Sequence, residues 1–248
     1  MIDMRNYFTH PDYFSIKDNF EKSFDKLKLN CDEHWSVFTT LQQKISNNKC
    51  PICEVGLTNI PNKPNTATLD HFRPKSDNMY PKLKCEPKNY ILMCSLCNST
   101  YKKDDFPLLD DSKKTTVDEK PLLFNPTEED PLDFFELVFK QTPTGGLLEL
   151  KRKSDISKDS YKYKICETMI KTFGLGYCHK YNHPHETIKK CRIGILAHHY
   201  ITFIELAQAI ATKNKKATAL ILKEKNRAKE LKEYGFFRFI SKNQFSIK

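Results

Sequence analysis

A chain of 248 residues with 39% apolar and 29% charged content and only seven glycines can bury a sizeable core, which excludes a disordered, collagen-like or low-complexity polypeptide. The formal net charge of +10 is unevenly spread: residues 1–150 hold 19 Lys/Arg against 23 Asp/Glu, a net of −4, while residues 151–248 hold 22 against 8, a net of +14. A surplus of that size in the C-terminal half attracts polyanions and makes nucleic acid the leading partner class.

The first residues, Met1-Ile2-Asp3-Met4-Arg5, carry an early acid and no apolar run of the length a secretory signal needs, so a cytoplasmic protein is expected. Apolar residues at helical spacing predict two helices, from about Tyr13 to Lys28 and from Asp32 to Ser46. Asp32 would cap the second, with Trp35 at its third position and Asn47-Asn48 as the stop. Residues 50–106 change character, because prolines at 51, 61, 64, 74, 81 and 87 separate short β-like runs at Thr66–Phe72 and Tyr90–Met93. This reads as a compact α+β insert. Phe134 to Phe139 and Gly146 to Leu150 are predicted to pair as a hairpin, and helices are predicted near 157–172, 186–212 and 215–234. The most apolar stretch, Ile193–Ala211, is interrupted by His198, His199, Glu205 and Gln208, so no membrane span is expected. Three sections follow: N-terminal helices over 1–48, the cysteine-bearing insert over 49–126, and a mainly helical basic region over 127–248.

Nine cysteines, an odd number with four of them set as Cys50-Pro51-Ile52-Cys53 and Cys94-Ser95-Leu96-Cys97, argue against a disulfide framework and for metal ligation. Two thiolates spaced by two residues reach one ion from a tight turn, and four sulfurs close a structural Zn²⁺ site with no position left for substrate. Buried free thiols, or Cys85 in place of one of the four, remain alternatives at this point.

A site closed by four sulfurs does no chemistry, so catalysis must come from the residues between the knuckles. There Asp70-His71 lies on a predicted strand, Asn89 precedes the next, and Asn98 follows the last cysteine. A hard divalent cation takes oxygen ligands, which Asp70 and Asn98 can supply while leaving room for water and phosphate. His71, sent to the opposite side of the strand from Asp70, has the near-neutral pKa of a general base.

This order of residues resembles the HNH endonucleases. More narrowly, His71-Phe72-Arg73-Pro74-Lys75, Cys94-x-x-Cys97-Asn98, Phe106-Pro107-Leu108 and Leu122-Leu123-Phe124-Asn125-Pro126 are similar to the HNH nuclease subunit of Septu-type and retron-associated anti-phage defence systems, over roughly residues 35–135. The resemblance implies an α+β fold in which a zinc-stapled ββα-metal nuclease core is embedded in a mainly helical chain. It implies that Asp70 and Asn98 hold Mg²⁺ or Mn²⁺, that His71 deprotonates the attacking water, and that Asn89 braces the loop carrying the base. It also implies a DNA substrate contacted by Arg73, Lys75 and Lys102 or Lys103, and a partner of the PtuA type, an SMC-like ATPase. One departure concerns the lysine expected two residues beyond the terminal Asn, which Ser99-Thr100-Tyr101 displaces to Lys102 or Lys103.

The chain contains no G-x-x-x-x-G-K-[ST] loop, so any ATP hydrolysis is expected from the partner. Cys178, His179, His183, His185 and Cys191 form a second Cys/His group, read as capping and solvated residues ahead of a helix more readily than as a metal site. Two competing readings stay open: a zinc-ribbon nucleic-acid-binding or adaptor module that does not cleave, and an HNH nuclease directed at RNA.

Overall fold

The computed structural model describes residues 1–25, 30–31, 34–112, 117–142 and 145–175, with strand Phe245–Ile247 and a few isolated positions near the C-terminus. It divides into two compact units, Ile2–Asp130 and a second comprising Met1 and Pro131–Lys248. Residues 2–48 therefore share a unit with the cysteine-bearing segment.

In the first unit, helix α1 (Pro11–Lys22) starts where His10, in extended backbone, accepts the Asp12 N–H at its Nδ1. Pro11 sits in the first turn, and Asp12 complements the positive end of the helix dipole. The helix buries Tyr13 and Phe20 and ends earlier than predicted, because both the N–H and the hydroxyl of Ser23 turn back onto the Phe20 carbonyl. Helix α2 (Val37–Ile45) buries Phe38, Leu41 and Gln42. It begins later than predicted: Trp35 precedes it in a turn closed by the Phe38 N–H on the Trp35 carbonyl at 3.1 Å. The expected Asp32 cap lies outside the described residues.

Strands β1 (Ala67–His71) and β2 (Tyr90–Cys94) pair antiparallel, with Asp70 opposite Ile91 and His71 opposite Tyr90. All five β2 residues are buried. The other edge of β2 is closed by Gln42, whose fully buried amide donates from Nε2 to the Tyr90 carbonyl at 3.0 Å and accepts the Leu92 N–H at 2.8 Å. A side chain thereby satisfies backbone groups that would otherwise need a third strand. The surrounding core is aromatic, with Tyr7–Tyr13, Phe20–Phe38 and Phe38–Tyr90 centroids 5.0, 5.1 and 5.5 Å apart.

Within that core Cys31 and Cys85 form a disulfide across a sequence separation of 54. The expectation that the cysteines form no disulfide framework is corrected at this pair. Spacing along a chain reveals ligands that share a turn, whereas Cys31 and Cys85 reach their Cα separation of 5.8 Å only through the tertiary fold.

After β2 the chain enters a π-helical segment, Leu96–Lys102, closed by the Lys103 N–H on the Asn98 carbonyl at 2.7 Å. The local order is strand, strand, helix, with a π-helix where an ideal ββα unit has an α-helix. Such segments are frequent at functional sites.

In the second unit β3 (Phe135–Thr142) and β4 (Gly145–Arg152) form the predicted hairpin, with β3 starting after Phe134 and running on past Phe139 and β4 longer at both ends than predicted, and β5 (Phe245–Ile247) runs parallel to β3 in the order β4-β3-β5. Helix α3 (Tyr161–Phe173) is capped by the Ser160 hydroxyl on the Tyr163 N–H, and it ends at Gly174 in the left-handed conformation, φ 62°. It buries Ile165, Cys166, Met169, Ile170 and Phe173. The helices predicted over 186–212 and 215–234 lie outside the described residues, apart from isolated positions. Among the described residues no helix is long and apolar enough to cross a membrane.

Candidate functional site

Cys50 and Cys53 flank a turn held by the Glu54 N–H on the Cys50 carbonyl at 2.8 Å, with Glu54 itself at φ 59°. Cys94 ends β2, and Cys97 lies in the first turn of the π-helix. The four buried sulfurs lie within 4.8 Å of one another, with Cys50–Cys97 at 3.6 Å and Cys53–Cys94 at 3.7 Å. A tetrahedron with zinc–sulfur bonds of about 2.3 Å has edges of about 3.8 Å, so the cluster has the dimensions of a Cys₄ site and could hold a metal ion such as zinc. Cys85, spent in the disulfide, is excluded from it. Burial drives the Cys97 thiol well above its ordinary value, while a hydrogen bond with Cys50 brings Cys94 down. A cation among the sulfurs would offset the mutual repulsion of their thiolate forms.

The same hairpin positions the residues between the knuckles. Thr68 and Asp70, two apart on β1, share one strand face. The π-helix runs along it: Asn98 donates from Nδ2 to Thr68 Oγ1 at 3.1 Å, and Lys102 Nζ lies 2.9 Å from Asp70 Oδ2. Asp70 is 8% exposed, and burial pushes its carboxyl up to about 6 although the Lys102 charge pulls the other way. Its Oδ2 faces the ammonium as an ion pair but accepts no well-directed hydrogen bond.

His71 turns to the other face, edge-on to Trp35 at 4.9 Å and Tyr90 at 5.2 Å. Its Nε2 lies 2.9 Å from the Lys84 carbonyl. A carbonyl only accepts, so the network assigns the proton to Nε2 and the lone pair of the neutral ring to Nδ1. Asn89, 3% exposed, accepts the Arg73 N–H at 2.8 Å and donates to the carbonyls of Arg73 and Leu83 at 2.9 and 3.2 Å. It therefore ties the chain leaving β1 to the loop that offers Lys84. The structure brings Asp70, Asn98 and Lys102 together on one face, and His71 and Asn89 around the other end of the strand.

The expected phosphate ligands divide by accessibility. Lys103 is exposed, and Lys75 Nζ lies 4.0 Å from the centroid of Trp35. Lys102 is buried. Arg73 is held by Glu119 at 2.5 Å and lies against Phe72 and Phe106; the same carboxylate, its side chain 1% exposed, accepts the Tyr80 hydroxyl. The Cys178/His179/His183/His185/Cys191 group lies outside the described residues.

Sequence reasoning did not find Gln42, Glu119, the Lys84 carbonyl or the disulfide. Only Glu119 had a signal, as one acid within the polar Asp104–Lys120 stretch, and nothing there distinguished it from its neighbours. Trp35, expected on a helix face, instead lies beside His71.

No family model matches the chain, and no solved structure matches it. Septu protein PtuB of Bacillus mycoides (strain KBAB4) is 32% identical over 138 residues, covering 49% of this chain and 44% of that protein. The chain thus spans less than half the length of the curated relative it matches. Over about half of its own length, this chain is similar to Septu protein PtuB.

Proposed function

We propose that this chain is an HNH-type endonuclease that hydrolyses DNA phosphodiester bonds as the effector of an anti-phage defence system, with an SMC-like ATPase as its partner. The observation that carries the reading is the pairing of a buried carboxylate, Asp70, with a neighbouring histidine whose tautomer is set by the Lys84 carbonyl, on a hairpin whose end joins a four-cysteine cluster. The defence role rests on the similarity to Septu protein PtuB.

The donor set fits a hard divalent ion: a carboxylate with a poorly satisfied oxygen and the Asn98 Oδ1, its Nδ2 being committed to Thr68. Mg²⁺ or Mn²⁺ bound there would polarise the scissile phosphate and acidify a water. His71 Nδ1 takes the proton of the attacking water, and the Nε2–H bond to Lys84 stabilises the imidazolium that results. Asn89 keeps that carbonyl in place. The P–O bond to the 3′ oxygen breaks, the departing oxygen takes a proton from solvent, and a 5′-phosphate and a 3′-hydroxyl result. Lys75 and Lys103 contact phosphates, while Arg73 shapes the loop through Glu119.

The test is divalent-dependent plasmid nicking by the chain, with an ATPase encoded beside it added where one exists. His71→Ala should lose ~10²–10⁴-fold in rate while keeping its fold, its zinc and its DNA affinity. Cutting at the parental rate would refute the mechanism. Salt-sensitive DNA binding with no cleavage by the parent under any of these conditions would instead favour an adaptor.

A further inference from the structure

Lys102 is an unusual side chain to bury. It is 1% exposed, and an ammonium so placed is costly unless every proton finds an acceptor. Here two carbonyls accept from it, His71 at 3.0 Å and Lys103 at 3.4 Å, and Asp70 Oδ2 balances the charge as an ion pair at 2.9 Å. The Lys103 carbonyl comes from a backbone at φ 51° and ψ −129°, a positive-φ conformation that few non-glycine residues adopt. A carboxylate oxygen and two carbonyls converging on one point form a cation site made entirely of oxygen, with the lysine's own charge as its occupant.

We propose that Lys102 is the resident counter-cation of Asp70, which a divalent ion must displace or sit beside in order to bind. Lys102 thereby sets the metal concentration at which the site loads. The inference rests on the reading of Asp70 as a metal ligand. Its physical basis is that like charges on one buried carboxylate are weakly screened, so the ammonium opposes any second cation there. It also gives Lys102 a different task from Lys103, which is exposed and able to meet phosphate.

The test is Mn²⁺ binding to the zinc-loaded full chain, read from the free-Mn²⁺ electron paramagnetic resonance signal and so independent of cleavage. Parent, Asp70→Asn, Lys102→Met and Lys102→Gln are compared, with zinc content and circular dichroism as controls on folding. The glutamine variant keeps donors without charge, and it carries the test if the methionine variant loses its zinc. Asp70→Asn should abolish one Mn²⁺ site, and removing the Lys102 charge should tighten that site at least about ten-fold. If the site depends on Asp70 but binds Mn²⁺ no more tightly in folded Lys102 variants, the ammonium is a structural ion pair and the inference is overturned. If Asp70→Asn retains every Mn²⁺ site of the parent, the ligand assignment beneath the inference fails first.

Discussion

Replacing Cys31 and Cys85 together by Ala removes a bridge that closes a loop with a sequence separation of 54. By chain entropy alone a loop of that length is worth about 4 kcal/mol, and native disulfides of small domains commonly return about 2–5 kcal/mol. The pair lies in the aromatic core, so the alanines also lose some packing, which adds to the effect. The single tryptophan of the chain, Trp35, lies between His71 and Lys75 in the same unit, so its fluorescence reports on the unit that carries the bridge. At a urea dependence of about 2 kcal/mol/M, the transition reported by Trp35 should move down by roughly 2 M relative to the zinc-loaded oxidised parent. A stronger reductant applied to the parent should reproduce the shift. A displacement under about 0.5 M, or alkylation of both thiols in the folded parent without reductant, would refute the bridge or its weight.

Cys97→Ser should lose any metal the cluster holds and loosen the 50–53 turn and the start of the π-helix, because structural zinc contributes on the order of 10 kcal/mol to segments with little core of their own; a zinc-replete variant by elemental analysis would contradict this. Gln42→Ala strands the Tyr90 carbonyl and the Leu92 N–H in a buried edge and should cost about 2–4 kcal/mol in the same urea assay, whereas an effect below about 0.5 kcal/mol would mean that water replaces the amide. Asp70, raised from 3.8 to about 6 by burial, favours the metal-free fold most below its unfolded value, and that contribution fades as pH rises through about 6. Added Mn²⁺ should therefore raise the melting temperature at pH values above about 6 and do so progressively less below it; equal shifts on both sides would remove Asp70 from the metal site.

The parts of this molecule that were legible in the sequence are those whose cause is local. The alternation and β-branching near Thr66–Phe72, the apolar run at Tyr90–Met93, and the two C-x-x-C pairs all report interactions between near neighbours. Strands β1 and β2 and the four converging sulfurs appear where they indicate. What failed depends on distant partners. The helical spacing around Trp35 could not show that the turn before α2 leaves this ring beside His71, because the reason lies in β2 and Tyr90. Nothing local marks Gln42 as the residue whose amide satisfies the open edge of β2, because its partners, the Tyr90 carbonyl and the Leu92 N–H, lie far along the chain. Lys102 and Lys103 were indistinguishable as charges. The π-helical turn separates them, burying one on Asp70 and leaving the other exposed.

A disulfide and a four-cysteine cluster that could hold a metal frame the hairpin from opposite ends, and this bears on how side chains can be placed accurately on so little secondary structure. Strands of five residues do not hold side chains rigidly by themselves. At the Cys94 end of β2 the sulfur cluster fixes the strand to the 50–53 turn and to the start of the π-helix, which sets Asn98 against Thr68. At the other end Cys85 is bonded to Cys31, and its neighbour Lys84 offers one carbonyl to both His71 and the Tyr90 hydroxyl, each at 2.9 Å. Asp70 and Asn98 thus depend on one link and His71 on the other. Loss of zinc should disturb the face bearing Asp70 and Asn98 first, whereas reduction of the disulfide should first loosen the ring of His71. The two failures are separable by following the His71 ring resonances under reductant and under chelator in turn. If both treatments released the ring together, the hairpin would be one cooperative unit and the division of labour between its two ends would be wrong.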